Sequence, residues 1–305
     1  MQPPRAVVVG PAYLDVVAAP LGRWPQLGEE VFTEEVELTA GGFAIAAIAL
    51  RRLGIDVGLA TAIGSDGPGT YLEQLLSAEG VERVGPNVGR TPVTVALNHE
   101  SDRAFVTAGP PEPGSMSQAG FDALRRWPEA RWLHLSGRGS WAADVARRAR
   151  GQGLFVSLDC GTDPAWLGSL AFREVLSQVD LYLPNAREAT CVTGREDPEE
   201  AAAALADLVP EVIVKRGAAG VIACRSRAAD HYLTRPREVI DATGAGDVFD
   251  AGYIAGRLYG FPAHQAIELG QFAAGESLGA LGGATAAPRR AACEAALAHL
   301  PWPRP

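Results

Sequence analysis

Short apolar runs alternate along the chain with longer stretches in which apolar residues recur every three or four positions. This alternation predicts βαβ units that build a mostly parallel sheet flanked by helices. The runs typical of strands are residues 6–9, 57–60, 132–135, 154–158, 181–183 and 212–214. The stretches typical of helices are residues 43–53, 69–77, 142–150, 198–208, 248–259, 263–281 and 288–300.

Two segments depart from this alternation. Residues 31–38 favour an extended strand of mixed polarity, while residues 92–97 and 104–107, joined by 98–103, favour a β-hairpin. Strands inserted this early in an α/β chain predict a small β-strand lid over the main sheet. We expect the lid strands within residues 11–40 and 91–108.

Composition narrows the class of protein. The 305 residues include 36 acidic and 27 basic side chains, which gives a formal net charge of −9, and 47% of the residues are hydrophobic. This mix excludes a disordered chain, and the acidic balance argues against a nucleic acid as the main partner. No linker, repeat or charge block marks a second unit, so we expect a single α/β domain over residues 1–305. Every basic residue except Lys215 is arginine, a bias that genomic base composition explains.

The cysteines and the apolar runs bear on location. Four cysteines lie far apart, without the CxxC pairs of zinc sites, which favours a reducing cytoplasm over a disulfide scaffold. Residues 1–5 leave no room for a signal peptide before the first strand. The longest apolar run, residues 40–50, is about half of what a membrane span requires. We therefore expect a cytoplasmic protein without a membrane segment.

The most specific motif is Asp241-Ala-Thr-Gly-Ala-Gly-Asp247, which opens an apolar helical stretch. Gly244 and Gly246 let the backbone turn tightly, and with Ala245 they offer the N–H groups of a helix start to an anion. Asp247 follows at the position where it can take a proton from an attacking hydroxyl. Because phosphoryl transfer requires such groups, we predict an anion hole at 244–246 and a general base at Asp247. A shorter G-x-G-D string would be explained equally well by an ordinary helix start.

On this motif the sequence resembles the ribokinase-like, or PfkB-type, carbohydrate kinase family, and the resemblance covers nearly the whole chain. A second signature lies in the N-terminal half, where Gly41-Gly42-Phe43 precedes an Ala-rich helix and the turn Gly64-Ser-Asp-Gly-Pro-Gly69. The resemblance implies a three-layer ribokinase-like sandwich, ATP as phosphoryl donor and Mg²⁺ as cofactor. From the residues alone, a glycine pair indicates close backbone contact with a ligand or with a neighbouring strand.

Weaker matches follow in the order that the family requires. Asn185-Ala-Arg-Glu188 resembles the N-x-x-E motif that helps to hold magnesium and its waters, in keeping with the preference of Mg²⁺ for oxygen ligands. Lys215, Gly217 and Gly220 resemble the strand end and glycine turn of the ATP site. A lysine at a strand end can bind phosphate as a point charge, or it can be a surface charge at the rim of the sheet.

The same resemblance implies roles for the rest of the C-terminal motif. Thr243 would belong to the ATP site, and Asp241 would lie at a monovalent-cation site, usually occupied by potassium in members that use one. Residues 273–283 would line the adenine pocket. In many relatives the lids pair across a homodimer.

The acceptor side of the site is implied by the N-terminal matches. Asp15 corresponds to the family's acid that binds sugar hydroxyls, and a carboxylate can accept hydrogen bonds from two neighbouring hydroxyls. Gly41, Gly42, Phe43 and Tyr13 would complete the substrate-binding site. The expected partner is therefore a small-molecule sugar or nucleoside.

Three departures from the family pattern concern the substrate. Ile45 or Ala46 stands where an asparagine often follows the glycine pair, Tyr13 stands where ribokinases often have asparagine, and residues 159–163 lack the arginine of D-x-N-x-R. These changes disfavour ribokinase, fructokinase and ketodeoxygluconate kinase. Aromatic faces at Tyr13 and Phe43 suit a nucleobase, which makes a nucleoside kinase an alternative, unless Phe43 and Ile45 face the core.

Other classes of function were weighed against the kinase. The departures favour a catalytically weak sensor of a sugar or nucleotide, but a pure binder has no need of Asp247. The first strand is not followed by the GxGxxG turn of a dinucleotide-dependent oxidoreductase, and no GxxxxGK[ST] string occurs. Arg103, at the hairpin end, could reach the substrate or be a solvated loop charge, and we favour the loop charge. The leading hypothesis is an ATP-dependent kinase that phosphorylates a hydroxyl of a sugar or sugar-like molecule.

Overall fold

The computed structural model describes residues 5–99, 102–109, 112–161 and 163–303. In chain order its strands are β1 (Ala6–Val9), β2 (Ala12–Leu21), β3 (Thr33–Gly42), β4 (Val57–Ala60), β5 (Ile63–Gly64), β6 (Glu82–Val84), β7 (Asn87–Val88), β8 (Val93–His99), β9 (Asp102–Ala108), β10 (Trp132–Ser136), β11 (Phe155–Asp159), β12 (Leu181–Tyr182), β13 (Glu211–Lys215), β14 (Val221–Arg225) and β15 (Ala228–Tyr232).

Helices lie between most of these strands. They are α1 (Phe43–Arg52), α2 (Gly67–Ala78), α3 (Pro113–Arg126), α4 (Trp141–Gly151), α5 (Pro164–Leu167), α6 (Leu170–Leu176), α7 (Ala186–Thr193), α8 (Pro198–Leu205), α9 (Ala245–Leu258), α10 (Ala263–Ser277) and α11 (Arg290–Ala296). A short 3₁₀ helix, Gly217–Ala219, follows β13.

The main sheet has nine strands in the order β15-β14-β13-β12-β11-β10-β1-β4-β6. The strands from β13 to β6 pair in parallel, and β14 and β15 complete one edge as an antiparallel pair of strands. This architecture is the ribokinase-like α/β fold that the resemblance implied.

The three layers follow from strands that are buried on both faces, as is usual for parallel sheets. In β1, Ala6 and Val8 pack into the core that α1, α9 and α10 cover, while Val7 and Val9 pack into the core beneath α3 and α4. All four side chains are fully buried. The sheet is therefore fixed from both sides, so the loops at its carboxyl edge are held in defined positions.

A separate four-stranded sheet forms the lid, in the order β3-β2-β8-β9. It is antiparallel except for the β2–β8 pair, which is parallel. Its inner face packs through Val17, Ala19 and Ala96 on Leu281 of the main body. This small core attaches the lid beside the carboxyl edge of the main sheet.

Most of the elements that the hydrophobic pattern predicts are confirmed within one or two residues, and the largest errors lie at the end of β3, which extends to Gly42 rather than 38, and at the C-terminus. Helix α10 ends at Ser277 rather than at 281, because the carbonyl of Leu278 accepts the N–H groups of Ile240 and Asp241 instead of continuing the helix. Helix α11 is also shorter than the predicted 288–300. Residues 100–101 of the predicted hairpin connection lie outside the described residues.

Two long elements were not predicted at all. Strand β2 carries Asp15 in its middle, and helix α3 follows the lid hairpin. Among the described helices, none combines the length and the apolar character that crossing a membrane requires.

Candidate functional site

Residues from distant parts of the chain gather at the carboxyl edge of the main sheet, and they include the predicted site residues Asn185 and Lys215. Gly10 follows β1, Gly137 follows β10, Asp159 ends β11, Asn185 follows β12 and Lys215 ends β13. Parallel strands direct their carboxyl ends to one edge, where open α/β sheets usually bind ligands. The order of the strands thus brings together segments that lie far apart in the sequence.

The predicted anion loop begins helix α9. Gly244 adopts φ 71°, and a Cβ built on it would lie 2.7 Å from the Cα of Gly283 and 2.8 Å from a methyl carbon of Ile45. No L-side chain fits that conformation and that space, which explains the first glycine of the motif. Ala245 N–H makes a long bond of 3.4 Å to Ala242. Beyond it, the first turn of α9 has the N–H groups that a helix does not satisfy internally.

The carboxylate of Asp241 fixes the shape of this loop by accepting three hydrogen bonds. Its Oδ1 accepts the backbone N–H and the hydroxyl of Thr243 at 2.9 and 2.7 Å, and its Oδ2 accepts the N–H of Gly282 at 3.0 Å. The side chain is 3% exposed. Asp241 therefore ties the anion loop to the segment after α10. A monovalent cation at Asp241 stays a prediction.

Asp247 lies half-buried in the first turn of α9. The pKa of its carboxyl is raised to about 7, mainly by burial and also by the negative charge of Asp159, while the positive charge of Lys215 opposes the shift. A carboxyl with a pKa near neutrality is suited to accept a proton from a substrate hydroxyl at physiological pH.

The side chain of Lys215 is largely buried among carboxylates, which disfavours the surface charge that was one of its two interpretations. Its Nζ donates to both carboxylate oxygens of Asp250 at 2.9 Å and to Asp159 at 3.3 Å. Burial favours the neutral amine, but the two carboxylates prevail and raise the pKa of Lys215 above its ordinary value. The ammonium also lies 3.5 Å from where a Cβ of Gly246 would stand. The lysine therefore neutralises buried acids and places positive charge against the anion loop.

The acceptor side is built where β2 and β3 pair. Gly41 lies opposite Tyr13, and Gly42 opposite Ala12. A Cβ on Gly41 would lie 2.1 Å from both carboxylate oxygens of Asp15, and one on Gly42 would lie 2.7 Å from the ring of Tyr13. The glycine pair therefore makes room for side chains of the neighbouring strand, which is one of the two explanations that the sequence left open.

Asp15 itself is 6% exposed, and among the described residues its Oδ1 has no hydrogen-bond partner. Burial raises the pKa of this carboxyl to about 7, against the lowering effect of hydrogen bonding by Thr94. A buried carboxylate oxygen without a partner is costly unless a ligand completes it. The arrangement thus fits an acceptor that donates hydrogen bonds, such as a hydroxyl compound.

Phe43 and Ile45 pack largely against the protein. The ring of Phe43 stacks on His134 at 5.4 Å between centroids and fills the space beside Gly10. Ile45 is 2% exposed and contacts Gly244 and Gly283. These contacts favour the core alternative for both side chains, and a role of Phe43 in substrate binding stays a prediction.

A cavity of about 580 Å³ has Asp247 in its wall. It is lined by five of the residues predicted for ATP and magnesium, namely Asn185, Glu188, Lys215, Gly217 and Gly220, together with Ala245 and Gly246. Thr243 is instead bonded to Asp241. Ala274, Gly275 and Leu278 also line the cavity, in agreement with the predicted contribution of residues 273–283.

A pair of carboxylates in this cavity fits a hard divalent cation. Asn185 and Glu188 form a capping box at the start of α7, in which each side chain accepts the other's backbone N–H at 2.9 Å. Ligand atoms of Glu188, Asp159 and Cys160 lie within 4.8 Å of one another. Burial raises the pKa of the Cys160 thiol, so the oxygen atoms of the two acids are the donors suited to Mg²⁺.

Several residues of the site were missed. Asp159 was noted only for the arginine that its segment lacks, although an acid at the end of a buried strand is a signal that could have identified it. Asp250 interrupts an apolar helix face and is fully buried. His134 is fully buried too, and burial lowers its pKa to about 4. Arg103, an exposed residue of β9, also lines the cavity, which agrees with the alternative that it reaches a ligand.

Comparisons with known proteins bear on the family of this chain. The model of the pfkB family carbohydrate kinases matches residues 4–290. A cytidine kinase of Thermococcus kodakarensis is 28% identical over 270 residues, which cover 87% of this chain and 92% of that protein.

Solved structures share the fold of this chain. Arabidopsis thaliana ribokinase, complexed with ribose and ATP, is 25% identical and superimposes with a TM-score of 0.80 over 96% of this chain and 98% of its own. An Escherichia coli protein in complex with ATP and Mg²⁺ has a TM-score of 0.82 at 22% identity, over 97% of this chain and all of its own.

Proposed function

This chain belongs to the pfkB family of carbohydrate kinases, and on that premise we propose that it transfers the γ-phosphoryl group of ATP to a hydroxyl of a sugar or nucleoside. The observation that carries the proposal is the position of Asp247. It lies beside the Gly244–Gly246 loop and lines the 580 Å³ cavity, and its carboxyl has a pKa near 7. Asp15 provides the acceptor side.

The reaction needs a base, and Asp247 supplies it. The ionised carboxylate takes the proton of the acceptor hydroxyl while the acceptor oxygen forms a bond to the γ-phosphorus. The bond between that phosphorus and the β,γ-bridging oxygen breaks, and ADP leaves with the electron pair. The N–H groups of the loop and the first turn of α9 stabilise the negative charge that develops on the transferred group.

ATP and magnesium occupy the cavity in this proposal. Asn185, Lys215, Gly217, Gly220 and Thr243 belong to the ATP site. Asp159 and Glu188 would hold Mg²⁺, and the bound ion would neutralise phosphate charge. Lys215 acts as a positioning residue, because its charge is shared with Asp159 and Asp250.

The acceptor binds under the lid. Asp15 accepts hydrogen bonds from hydroxyl groups, and the absence of side chains at Gly41 and Gly42 keeps Asp15 and Tyr13 in place. This arrangement explains why a strand of the lid, rather than a loop, carries the acid. Potassium near Asp241 remains part of the proposal.

A second copy of the chain is the proposed partner of the lid. Cross-strand pairs place Val16, Ala18, Val36, Leu38 and Val95 on the face of the lid that points away from Val17 and Ala96. Val36 is 54% exposed and Leu38 is 40% exposed. Adjacent exposed apolar residues of this kind mark association surfaces.

The four cysteines are unpaired, which fits a reducing cytoplasm.

The proposal is tested by incubating the protein with ATP, Mg²⁺ and one acceptor at a time, drawn from pentoses, hexoses, sugar acids and nucleosides. We expect ADP release that depends on one acceptor class, and mass spectrometry should find a product heavier by one phosphoryl group. Failure of every acceptor in the panel to be phosphorylated would contradict the proposed activity.

A further inference from the structure

A second cavity, of about 340 Å³, adjoins the acceptor site and has no role in the account above. We call it the aromatic pocket, and its walls include Tyr13, Met116, Arg138, Trp141 and Trp166. Tyr13 and Asp15 are two residues apart on β2 and therefore lie on the same face of the strand. The pocket therefore shares Tyr13 with the proposed acceptor site, on the face of β2 that also carries Asp15.

The tryptophans present ring surface rather than hydrogen-bond donors. The indole N–H of Trp141 donates to the carbonyl of Arg138 at 2.8 Å, and that of Trp166 donates to the carbonyl of Gly137 at 2.6 Å. Both donors are therefore used within the protein. Met116 and Trp141 are almost fully buried, so that with the half-buried Trp166 they form an apolar wall of an open pocket, which suits one face of a flat heterocycle.

One polar group determines what the pocket can recognise. The exposed side chain of Arg138 lies beside the phenol of Tyr13, where it opposes the rise that burial causes in the pKa of Tyr13. Its guanidinium also lies beside Gly161, since a Cβ built on Gly161 would be 3.0 Å from Nε of Arg138. A guanidinium held at the rim of an apolar pocket can donate to the carbonyl oxygen or ring nitrogen of a base.

We propose that the aromatic pocket binds the nucleobase of a nucleoside acceptor, with the ribose hydroxyls at Asp15 and the phosphorylated hydroxyl at Asp247. This inference rests on the proposed kinase activity and selects one acceptor class. A plain sugar would leave the aromatic walls without a partner. A sugar phosphate is disfavoured, because the single arginine faces a pocket that also contains the carboxylate of Asp163.

The first experiment measures kcat/KM with ATP for cytidine, uridine, adenosine, guanosine, ribose, fructose and ribose 1-phosphate. We expect at least one nucleoside to exceed every sugar and sugar phosphate. Arg138→Ala should raise the KM for that nucleoside by about 10–100-fold, the effect of one charged hydrogen bond, and should raise the KM for ribose far less. Arg148→Ala, an exposed arginine of α4, is the matched control and should change neither KM.

Binding is measured separately from turnover. A nucleoside alone should quench the emission of Trp141 and Trp166, while ribose alone should not, and Arg138→Ala should weaken the quenching. If a sugar is phosphorylated but nucleosides neither quench nor react, the pocket assignment is overturned and the kinase proposal stands. If nucleosides quench but no acceptor is phosphorylated, the kinase proposal fails while the pocket assignment stands. Equal effects of Arg138→Ala on nucleoside and ribose would also overturn the assignment.

Discussion

A single methyl group at Gly41 should damage the acceptor site. In Gly41→Ala the new Cβ would stand 2.1 Å from both carboxylate oxygens of Asp15, whereas side-chain atoms essentially never approach a Cβ more closely than 3.0 Å. The carboxylate must therefore move by about 1 Å, a displacement that can cost about 100-fold when it misplaces a reactant. Gly41 has no left-handed φ, so the backbone accepts alanine without strain. We expect kcat/KM for the acceptor to fall by about 10–100-fold.

The assay is steady-state ADP release with the best acceptor varied at saturating ATP, then with ATP varied at saturating acceptor. The loss should appear in kcat/KM for the acceptor, while the KM for ATP should stay close to that of the wild type. Gly67→Ala is the matched control, because a Cβ there meets nothing within 4 Å. If Gly41→Ala keeps its fold and its acceptor kcat/KM stays within about twofold of the wild type, the assignment of Asp15 to the acceptor is refuted.

Three further predictions concern charge. Because burial raises the pKa of Asp247 to about 7 and the base must be ionised, kcat/KM should fall as the pH falls through about 7, and a profile that is flat from acid to neutral pH would contradict this. Lys215→Met leaves Asp250 buried without its cation and should lower the free energy of unfolding in urea by about 3–5 kcal/mol, whereas a loss below about 1 kcal/mol would contradict the pairing. Asp66→Ala removes the N-cap of α2 and the hydrogen bonds between Asp66 and Thr91. The free energy of unfolding at neutral pH should therefore fall by about 1 kcal/mol. Because folding lowers the pKa of Asp66, the stabilisation by its carboxylate is lost as the pH falls through that pKa, and the wild type and the variant should then have the same free energy of unfolding. A difference in the free energy of unfolding that persists in acid would contradict the capping role of the carboxylate.

The hydrophobic pattern was sufficient to predict β1, β4 and the strands from β10 to β13, which are six of the nine strands of the main sheet, and most of the longer helices. Strands such as Ala6–Val9 are buried on both faces and are recognisable as continuous apolar runs. The lid strand β2 was missed because it alternates buried and half-buried residues and carries Asp15, a residue that is uncommon inside strands. Its burial arises from the pairing with β3 and β8, which the local sequence does not encode.

The candidate site, like the fold, was predictable from the sequence only in part. The motif from Asp241 to Asp247 combines backbone geometry and chemistry within seven residues, so its sequence was sufficient to predict a loop at a helix start. The partners of Lys215 were not predictable, since Asp159 and Asp250 come from a different strand and a different helix. The aromatic pocket was also hidden, because its tryptophans lie more than 100 residues after Tyr13 in the chain.

The central claim is that Asp247 is the base of an ATP-dependent phosphoryl transfer. The most direct measurement compares kcat on the best acceptor for the wild type, Asp247→Asn and Asp230→Asn, an exposed acid of β15 that serves as the matched control. The account predicts a fall of about 10²–10⁴-fold in Asp247→Asn with an unchanged thermal midpoint, and no change in Asp230→Asn. A folded Asp247→Asn protein whose kcat stays within about tenfold of the wild type would contradict it.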